Sequence, residues 1–321
     1  MSTVVSGDFW AFVGVVAGIY TIFALGLQIQ FGFTGLLNFG HVGFMAIGAY
    51  TMAILTVKEG MSMWLAAFLA VVAAALSGLL VGLPTLRLRA DYFAIVTIAF
   101  GEIVRYVATN QDNLTGGSQG TINLAGAGQA SQYDGAWMRF QSWLGGTLGI
   151  GNKDVVMLLV VWVVCVVLLV LLAGLVRTPW GRLLKSIRDD EDAAASLGKN
   201  PFAVKLQSLA LGAALAGLAG CFYAWQFSFF SPDDFQPLLT FFAWMIVILG
   251  GTGRIWSVPV GAVLFGVIFA GTRFFDFPPF SWLGSDDRAY VRLLLIGLVL
   301  IGLMLFRPQG ILGRREEMVL E

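Results

Sequence analysis

The chain has 321 residues, of which 58% are hydrophobic and only 12% charged, with a formal net charge of zero and a mean hydropathy of +0.83. One soluble core has no room for that much apolar surface, so the composition excludes an ordinary soluble domain and points to a polytopic membrane protein. No basic block marks a nucleic-acid partner, and a single histidine with two separated cysteines leaves no zinc-type ligand set to assemble.

Hydropathy places candidate spans at 9–30, 36–57, 62–83, 91–109, 154–176, 205–228, a short 238–251, 256–275 and 289–306. The expected fold is all-α, a single transmembrane domain over 1–321. It is a helical bundle of about eight to ten spans, some of them broken or re-entrant. The start of the chain lacks the basic region of a cleaved signal peptide, so Phe9 to Ile29 is expected to remain as the first span. The 40 glycines suit close helix packing in lipid. Cys165 and Cys221 fall in apolar stretches and read as small hydrophobes.

Basic residues set the orientation. Arg87 and Arg89 lie in one turn, Arg177, Arg182, Lys185, Arg188, Lys199 and Lys205 in the central loop, and Arg307, Arg314 and Arg315 in the tail. All three groups share one side if every segment crosses, which puts them in the cytoplasm and the N-terminus outside. The short 238–251 is the weak point: were it re-entrant, another segment would have to break as well, and 31–45 is the candidate.

In chain order, the first unusual stretch is Gly32 to Tyr50, GFTGLLNFGHVGFMAIGAY, whose Gly35, Gly40 and Gly43 weaken a helix enough to allow a break lining a cavity. Asn38 and His41 are three apart and are expected on one helical face, either as pathway residues or bonded to a neighbour's backbone in a packed interior. Glu102 falls roughly 16 Å along its span from Asp91, near mid-membrane. A carboxylate there needs a partner, and Arg105 one turn on is the local one, as a structural pair or a pathway element. No second acidic residue is expected at that depth, which argues against a proton relay.

The loop from about 110 to 153 is extracytoplasmic in this reading. It is rich in Gly, Ser, Gln and Asn, and Trp137, Phe140 and Trp143 near its end suit the interfacial belt or a short helix along the surface. The loop reads as a lid, a receptor contact or a plain connector.

The central loop, about 177–205, is the one long charged run between apolar segments. Thr178-Pro179 is expected to cap a helix with Leu183, Leu184 and Ile187 on one face and Arg182, Lys185 and Arg188 on another. A second helix starts at Asp189-Asp190, with Glu191 and Asp192 in its first turn where the dipole favours them. Ala193, Ala194 and Leu197 are expected to form a small apolar face, Gly198 to end the helix and Pro201 to enforce the stop. Two such helices bridging two spans are either a docking surface or a solvated connector.

Ile248 to Ala262, ILGGTGRIWSVPVGA, places a turn at Gly250, Gly251 and Gly253 before the next span. It is no phosphate loop, since G-x-x-x-x-G-K-[ST] occurs nowhere in the chain. Nucleophile elbow, H-E-x-x-H and spaced acidic pairs are missing too, so an intramembrane enzyme has no positive support.

GFTGLLNFGHVGFMAIGAY, LRLRADYFAIVTIAFGEIVR, TGGSQG, TPWGRLLKSIRDDEDAAASLG, ILGGTG and LFRPQGILG follow one another in an order that resembles the permease subunits of branched-chain amino acid ABC importers. The chain is similar to the LivM-like member of their permease pair from about residue 20 to 313. Asp192-Ala193-Ala194, three residues and Gly198 resemble the Glu-Ala-Ala…Gly loop that serves those permeases as a coupling helix in a groove of the ATPase. Arg254 and Ser257-Val258-Pro259 depart from the family's usual Ser and later Gly-Pro.

The resemblance implies a second related permease, two ATP-binding subunits, an extracytoplasmic substrate-binding protein and a bacterial cytoplasmic membrane. This chain would bind no cofactor, with ATP and Mg on the partner subunits, and would convert their closure into a change of access. Two other readings remain. Urea and short-amide importers use closely related permeases, and a self-sufficient secondary transporter would move solute without an ATPase.

Overall fold

The computed structural model describes residues 7–121 and 135–271, together with isolated positions between 291 and 312. Apart from those positions, the expected span 289–306 and the tail with Arg307, Arg314 and Arg315 lie outside the described residues. What is described is helical or irregular, without a strand, as a backbone in lipid must be to satisfy its own hydrogen bonds. The fold is an all-α polytopic bundle.

Helix α1 (Gly7–Leu27) runs directly into a π-helical segment, Gln28–Phe33. It is apolar all round, and 89% of its most apolar stretch is buried, which marks a helix at the centre of a bundle. Then follow α2 (His41–Val57), α3 (Met63–Thr85), α4 (Ala90–Asn110) and the short α5 (Asp112–Thr115). Beyond residues 122–134, which lie outside the description, come α6 (Gly135–Leu148), α7 (Lys153–Arg177), α8 (Pro179–Asp189) and α9 (Glu191–Ser196). The described helices close with α10 (Pro201–Phe227), α11 (Pro237–Gly250) and α12 (Ser257–Gly271). In contrast to α1, the helices α3, α4 and α7 turn large apolar side chains such as Leu80, Ile95 and Leu171 outward. An apolar ring of that size belongs against lipid.

The two ends of the bundle are fixed by two contacts. Asn152 caps α7 by accepting from the Asp154 N–H at 2.8 Å and also donates to Asp8 at the start of α1. At the far end of α1, Arg188 of α8 donates to the Gly32 carbonyl. So α1 and α7 run parallel, and the charged connector α8–α9 lies at the end opposite Asp8. Arg87 joins it there, with its guanidinium 5.6 Å from the Phe202 ring at the start of α10. The first two basic groups of the sequence are therefore brought to one end.

Two spans are broken, and in opposite directions. After Phe33 the chain does not continue as the expected 36–57 helix. Gly35 takes a positive φ of 75°, and residues 34–40 double back in irregular conformation along the π-helical segment before α2 starts at His41. Ser228 does the same after α10 with φ 54°, and residues 228–236 fold back with one 3-10 turn, Pro232–Phe235, before α11. The short 238–251 segment is thus no hairpin returning to its own side: the 228–236 arm and α11 together complete one crossing.

This is an inverted repeat that the sequence did not disclose. The series α1, arm 34–40, α2, α3 runs opposite to α10, arm 228–236, α11, α12. Packing follows the same rule, since α10 packs on α2 and α3 as α1 packs on α11 and α12. The half-helices α2 and α11 start side by side in the interior: the Val42 N–H donates to Thr240 Oγ1 at 3.0 Å, and Trp244 Nε1 donates to the Asn38 carbonyl at 3.1 Å. Inverted repeats with discontinuous helices are a recurring transporter architecture.

At the Asp8 end, α6 confirms a short helix among the candidate placements for Trp137, Phe140 and Trp143. Trp137 is 1% exposed and stacks on Trp225 of α10, ring centroids 4.7 Å apart and planes 8° from parallel, so α6 is pinned to the bundle.

Candidate coupling and translocation site

The connector is built as two helices at right places but with different details from those expected. Thr178 does precede Pro179, yet its hydroxyl bonds back to the Leu175 carbonyl at 2.6 Å and does not cap α8. The apolar side of α8 is partly as expected: Leu184 and Ile187 are buried with Gly181, Leu183 is half-buried, and Arg182 and Lys185 face out, whereas Arg188, expected with them, turns in to the Gly32 carbonyl. Lys185 lies 5.5 Å from the Phe33 ring. Trp180 Nε1 donates to Gln207 Oε1 at 2.8 Å, and Lys205 pairs with Glu191. The connector is thereby fastened to the end of α1 and to the start of α10.

In α9 the cap is Asp190, whose carboxylate accepts from the Ala193 N–H at 2.9 Å; Asp189, Glu191 and Asp192 are exposed. The helix is shorter than expected, with Leu197 already its C-cap and Gly198 at φ 76° turning the chain out. As the C-cap, Leu197 lies outside the helix and is not held on the face that carries Ala194. Ala194 is 4% exposed and faces the bundle, whereas Leu197 is 81% exposed and Ala193 is exposed as well. Outward contact by α9 therefore falls to Ala193, Leu197 and the acidic side chains.

Asn38 and His41 are not on one helical face, because only His41 belongs to α2. Asn38 sits in the 34–40 arm, donating to Gln30 Oε1 at 2.8 Å and accepting from the Gly40 N–H at 3.0 Å. His41 Nε2 lies 3.1 Å from the Phe23 carbonyl, and its ring stacks on Phe23 at 4.8 Å. Both are fully buried. Of the glycines, Gly40 lets the arm touch α4: a Cβ there would lie 1.7 Å from the Thr97 carbonyl oxygen. Gly43 faces Gly101 of α4, where a Cβ would come within 3.0 Å.

Glu102 and Arg105 form the expected pair, with Arg105 Nη2 at 2.8 Å and Nε at 3.1 Å from Glu102 Oε2. The expectation of no second acidic group at that depth is corrected. Asp233, carried in by the 228–236 arm, accepts from Arg105 Nη1 at 3.1 Å. The cluster ties α4 to the arm that leads into α11. Asp234 is occupied locally, its carboxylate accepting from the Ser231 N–H at 2.7 Å.

Gly250, Gly251 and Gly253 form the tight turn between α11 and α12, with φ of 113° at Gly251 and 82° at Gly253. The turn is pinned. Ser257 Oγ donates to the Gly251 carbonyl at 2.6 Å, and the Ile311 and Leu312 N–H groups donate to the Leu249 and Gly250 carbonyls at 2.9 and 3.0 Å. Arg254 does add a contact at the connector end, donating to the Leu312 carbonyl at 3.0 Å.

The profile of one family, described as the permease component of branched-chain amino acid transport systems, matches residues 10–304. The chain belongs to that family. It is 37% identical to the high-affinity branched-chain amino acid transport system permease protein LivM of Salmonella typhimurium over 300 residues, which is 92% of this chain and 68% of the relative. Identity to the probable branched-chain amino acid transport permease protein LivM of Methanocaldococcus jannaschii is 23%, covering 93% of this chain and 91% of that one. The permease protein LivH of Escherichia coli K12 is 25% identical, covering 95% of each chain. No solved structure matches the chain.

As a multi-pass permease, the chain carries polar groups that sequence reasoning passed over. Gln28 and Gln30 are fully buried in the π-helical segment. Gln28 Nε2 donates to the Arg254 carbonyl at 3.1 Å and Gln30 Nε2 to the Leu209 carbonyl at 3.1 Å. Thr34 and Ser208 share a hydrogen bond of 2.7 Å. These side chains join the end of α1 to the 34–40 arm, to α10 and to the Gly250–Gly253 turn. Their signal was two glutamines two residues apart beside Ile29 and Phe31, where apolar neighbours hid them in the hydropathy. Among the described residues no cluster of His, Cys, Asp or Glu is arranged to hold a metal.

Proposed function

We propose that this permease is one membrane-spanning half of an ATP-driven importer of branched-chain aliphatic amino acids in a bacterial cytoplasmic membrane. A second related permease completes the pathway, two ATP-binding subunits bind ATP and Mg, and an extracytoplasmic binding protein delivers the substrate. The chain itself binds no cofactor. The substrate class rests on the family and on the names of its relatives.

One observation carries the mechanical part. The charged connector is folded as two short helices, held to the end of α1 and the start of α10, with Leu197 left 81% exposed. A folded connector fastened to two spans, with acidic side chains and a leucine turned outward, suits a docking partner more than a loose solvated link. With the basic residues at this end, the connector faces the cytoplasm and Asp8 the exterior. Closure of the ATP-binding pair would push α8–α9 as a lever. Arg188 and Lys205 would pass the displacement to the π-helical segment and to α10, and from there to the two broken spans.

A mostly apolar passage with few polar groups suits a zwitterion with an aliphatic side chain, whose identity is read chiefly by the binding protein. Asn38, His41, Glu102 and Arg105 stand at the broken spans as candidate pathway or support groups, and Gly35, Gly40, Gly43, Gly250, Gly251 and Gly253 as the points where backbone can turn. The test is to copurify the untagged partners with this chain, reconstitute the complex and measure ATP-dependent uptake. Uptake of leucine in preference to urea is expected. Preference for urea would move the substrate class, and uptake by this chain alone without ATP would end the importer reading.

A further inference from the structure

At the connector end, a cavity of about 280 Å³ opens between the last turn of α7, the end of the π-helical segment and the start of α12. Its lining combines the apolar Phe33, Val176 and Ile255 with Arg177, Arg254 and Trp256. We infer that this cavity binds the phosphate head of an anionic glycerophospholipid from the leaflet at the connector end. The inference goes beyond the transport reading and borrows from it only the side on which the connector lies.

The argument starts from charge. Two arginines line one small cavity, and among the described residues neither pairs with a carboxylate: the ion pairs there are Arg105 with Glu102 and Asp233, and Lys205 with Glu191. Two like charges lining one cavity favour an anion between them. Guanidinium groups meet phosphate oxygens in a bidentate fork, the geometry that favours Arg over Lys for this ligand.

The site is also held in place. The Arg254 carbonyl accepts from Gln28 Nε2 at 3.1 Å and from Ser257 Oγ at 2.6 Å, while its Nη1 donates to the Leu312 carbonyl at 3.0 Å. The backbone behind one guanidinium is therefore fixed from two elements. Trp256, 53% exposed, is the residue type that settles at headgroup depth. A lining that mixes apolar side chains with two arginines matches the first methylenes and the phosphate of a lipid more closely than a small soluble anion. Basic pockets between spans at the cytoplasmic face, where anionic lipids concentrate, are a known mode of headgroup recognition. The competing account is simple snorkelling, in which both arginines only reach water and Arg177 complements the end of α7.

The test uses the chain purified from membranes, as a complex with whatever subunits accompany it, and stripped of lipid in mild detergent. Phosphatidylglycerol is expected to raise the unfolding temperature more than phosphatidylcholine of the same chains, and native mass spectrometry to show anionic lipid retained. R177Q/R254Q should lose that increment, with binding about thirtyfold weaker for two basic side chains near an anionic surface. R177K/R254K should fall between, and the single substitutions R177Q and R254Q keep the result independent of how the double variant folds. An equal increment in the double variant, or none in the wild-type complex, overturns the inference. An equal rise with glycerol phosphate in place of lipid overturns the lipid as the occupant.

Discussion

Arg188 on α8 donates a hydrogen bond to the main-chain carbonyl of Gly32, inside the π-helical segment that ends α1. A π-turn has a different backbone pairing from the helix before it, and such turns concentrate at functional sites. Here the guanidinium joins the charged connector to the most buried helix of the bundle. We expect Arg188→Gln to insert normally but to lower uptake severalfold more than ATP hydrolysis, with Arg188→Lys recovering part of the loss. Uptake equal to wild type at equal membrane abundance would show that this contact transmits nothing.

The buried amide pair of Asn38 and Gln30 supplies a stability prediction. Asn38→Ala leaves Gln30 Oε1 without its donor in a fully buried place, at a cost of about 1–3 kcal/mol. Thermal unfolding in detergent should show it. The Asn38→Ala/Gln30→Ala double variant should lose less than the sum of the two single ones, because both remove the same bond. Strict additivity would mean that the pair is not coupled.

Close backbone approach makes a sharper contrast between two glycines. A methyl at Gly40 would fall 1.7 Å from the Thr97 carbonyl oxygen, while a methyl at Gly174 on α7 meets nothing within 4 Å. Gly40→Ala should therefore cost at least about 1–3 kcal/mol as an overpacked contact between the arm and α4. Gly174→Ala should be neutral or slightly stabilising. Yield and unfolding temperature of the two variants, measured side by side, decide the matter.

The Arg105 cluster separates a structural pair from a latch. Asp233 is largely exposed in that cluster, its side chain 75% accessible, so Asp233→Asn should cost under about 1 kcal/mol of stability. Arg105→Gln instead leaves Glu102 and Asp233 as neighbouring uncompensated carboxylates. It should reduce uptake well beyond Asp233→Asn, since an asparagine oxygen at 233 can still accept from Arg105 and hold the arm, whereas glutamine at 105 removes the cation that joins both carboxylates. If the two variants transport alike, Arg105 holds only Glu102 and the arm does not depend on it.

Most spans were legible because hydropathy over twenty residues reports burial in lipid directly, and the connector because charge inside such a chain must find water. The broken spans were only half legible. The glycines of GFTGLLNFG announced that 31–45 is weak, but not that Gly35 would turn the chain back, since the 34–40 arm is held not only by nearby Gln30 but by Thr97 and Trp244 from far along the chain. For the same reason Asp233, three residues from Gln236 in an apparent connector, could not be placed beside Arg105 without the fold. The inverted repeat left no trace because α1 and α10 share a packing role, not a residue pattern. The mistaken α9 face had a local cause: the start at Asp190 and the stop at Gly198 were legible, but Leu197 has already left the helix as its C-cap and does not line up with Ala194.

The central claim is that α8–α9 receives mechanical work from an ATP-hydrolysing partner. Leu197→Asp tests it most directly, because Leu197 points away from the bundle, whereas Ala194→Arg would also drive a charge into the chain's own core. In the reconstituted complex, Leu197→Asp should leave membrane insertion intact, weaken retention of the ATP-binding subunits and abolish both uptake and substrate-stimulated ATP hydrolysis. Normal stimulation of ATP hydrolysis with normal uptake would contradict the claim.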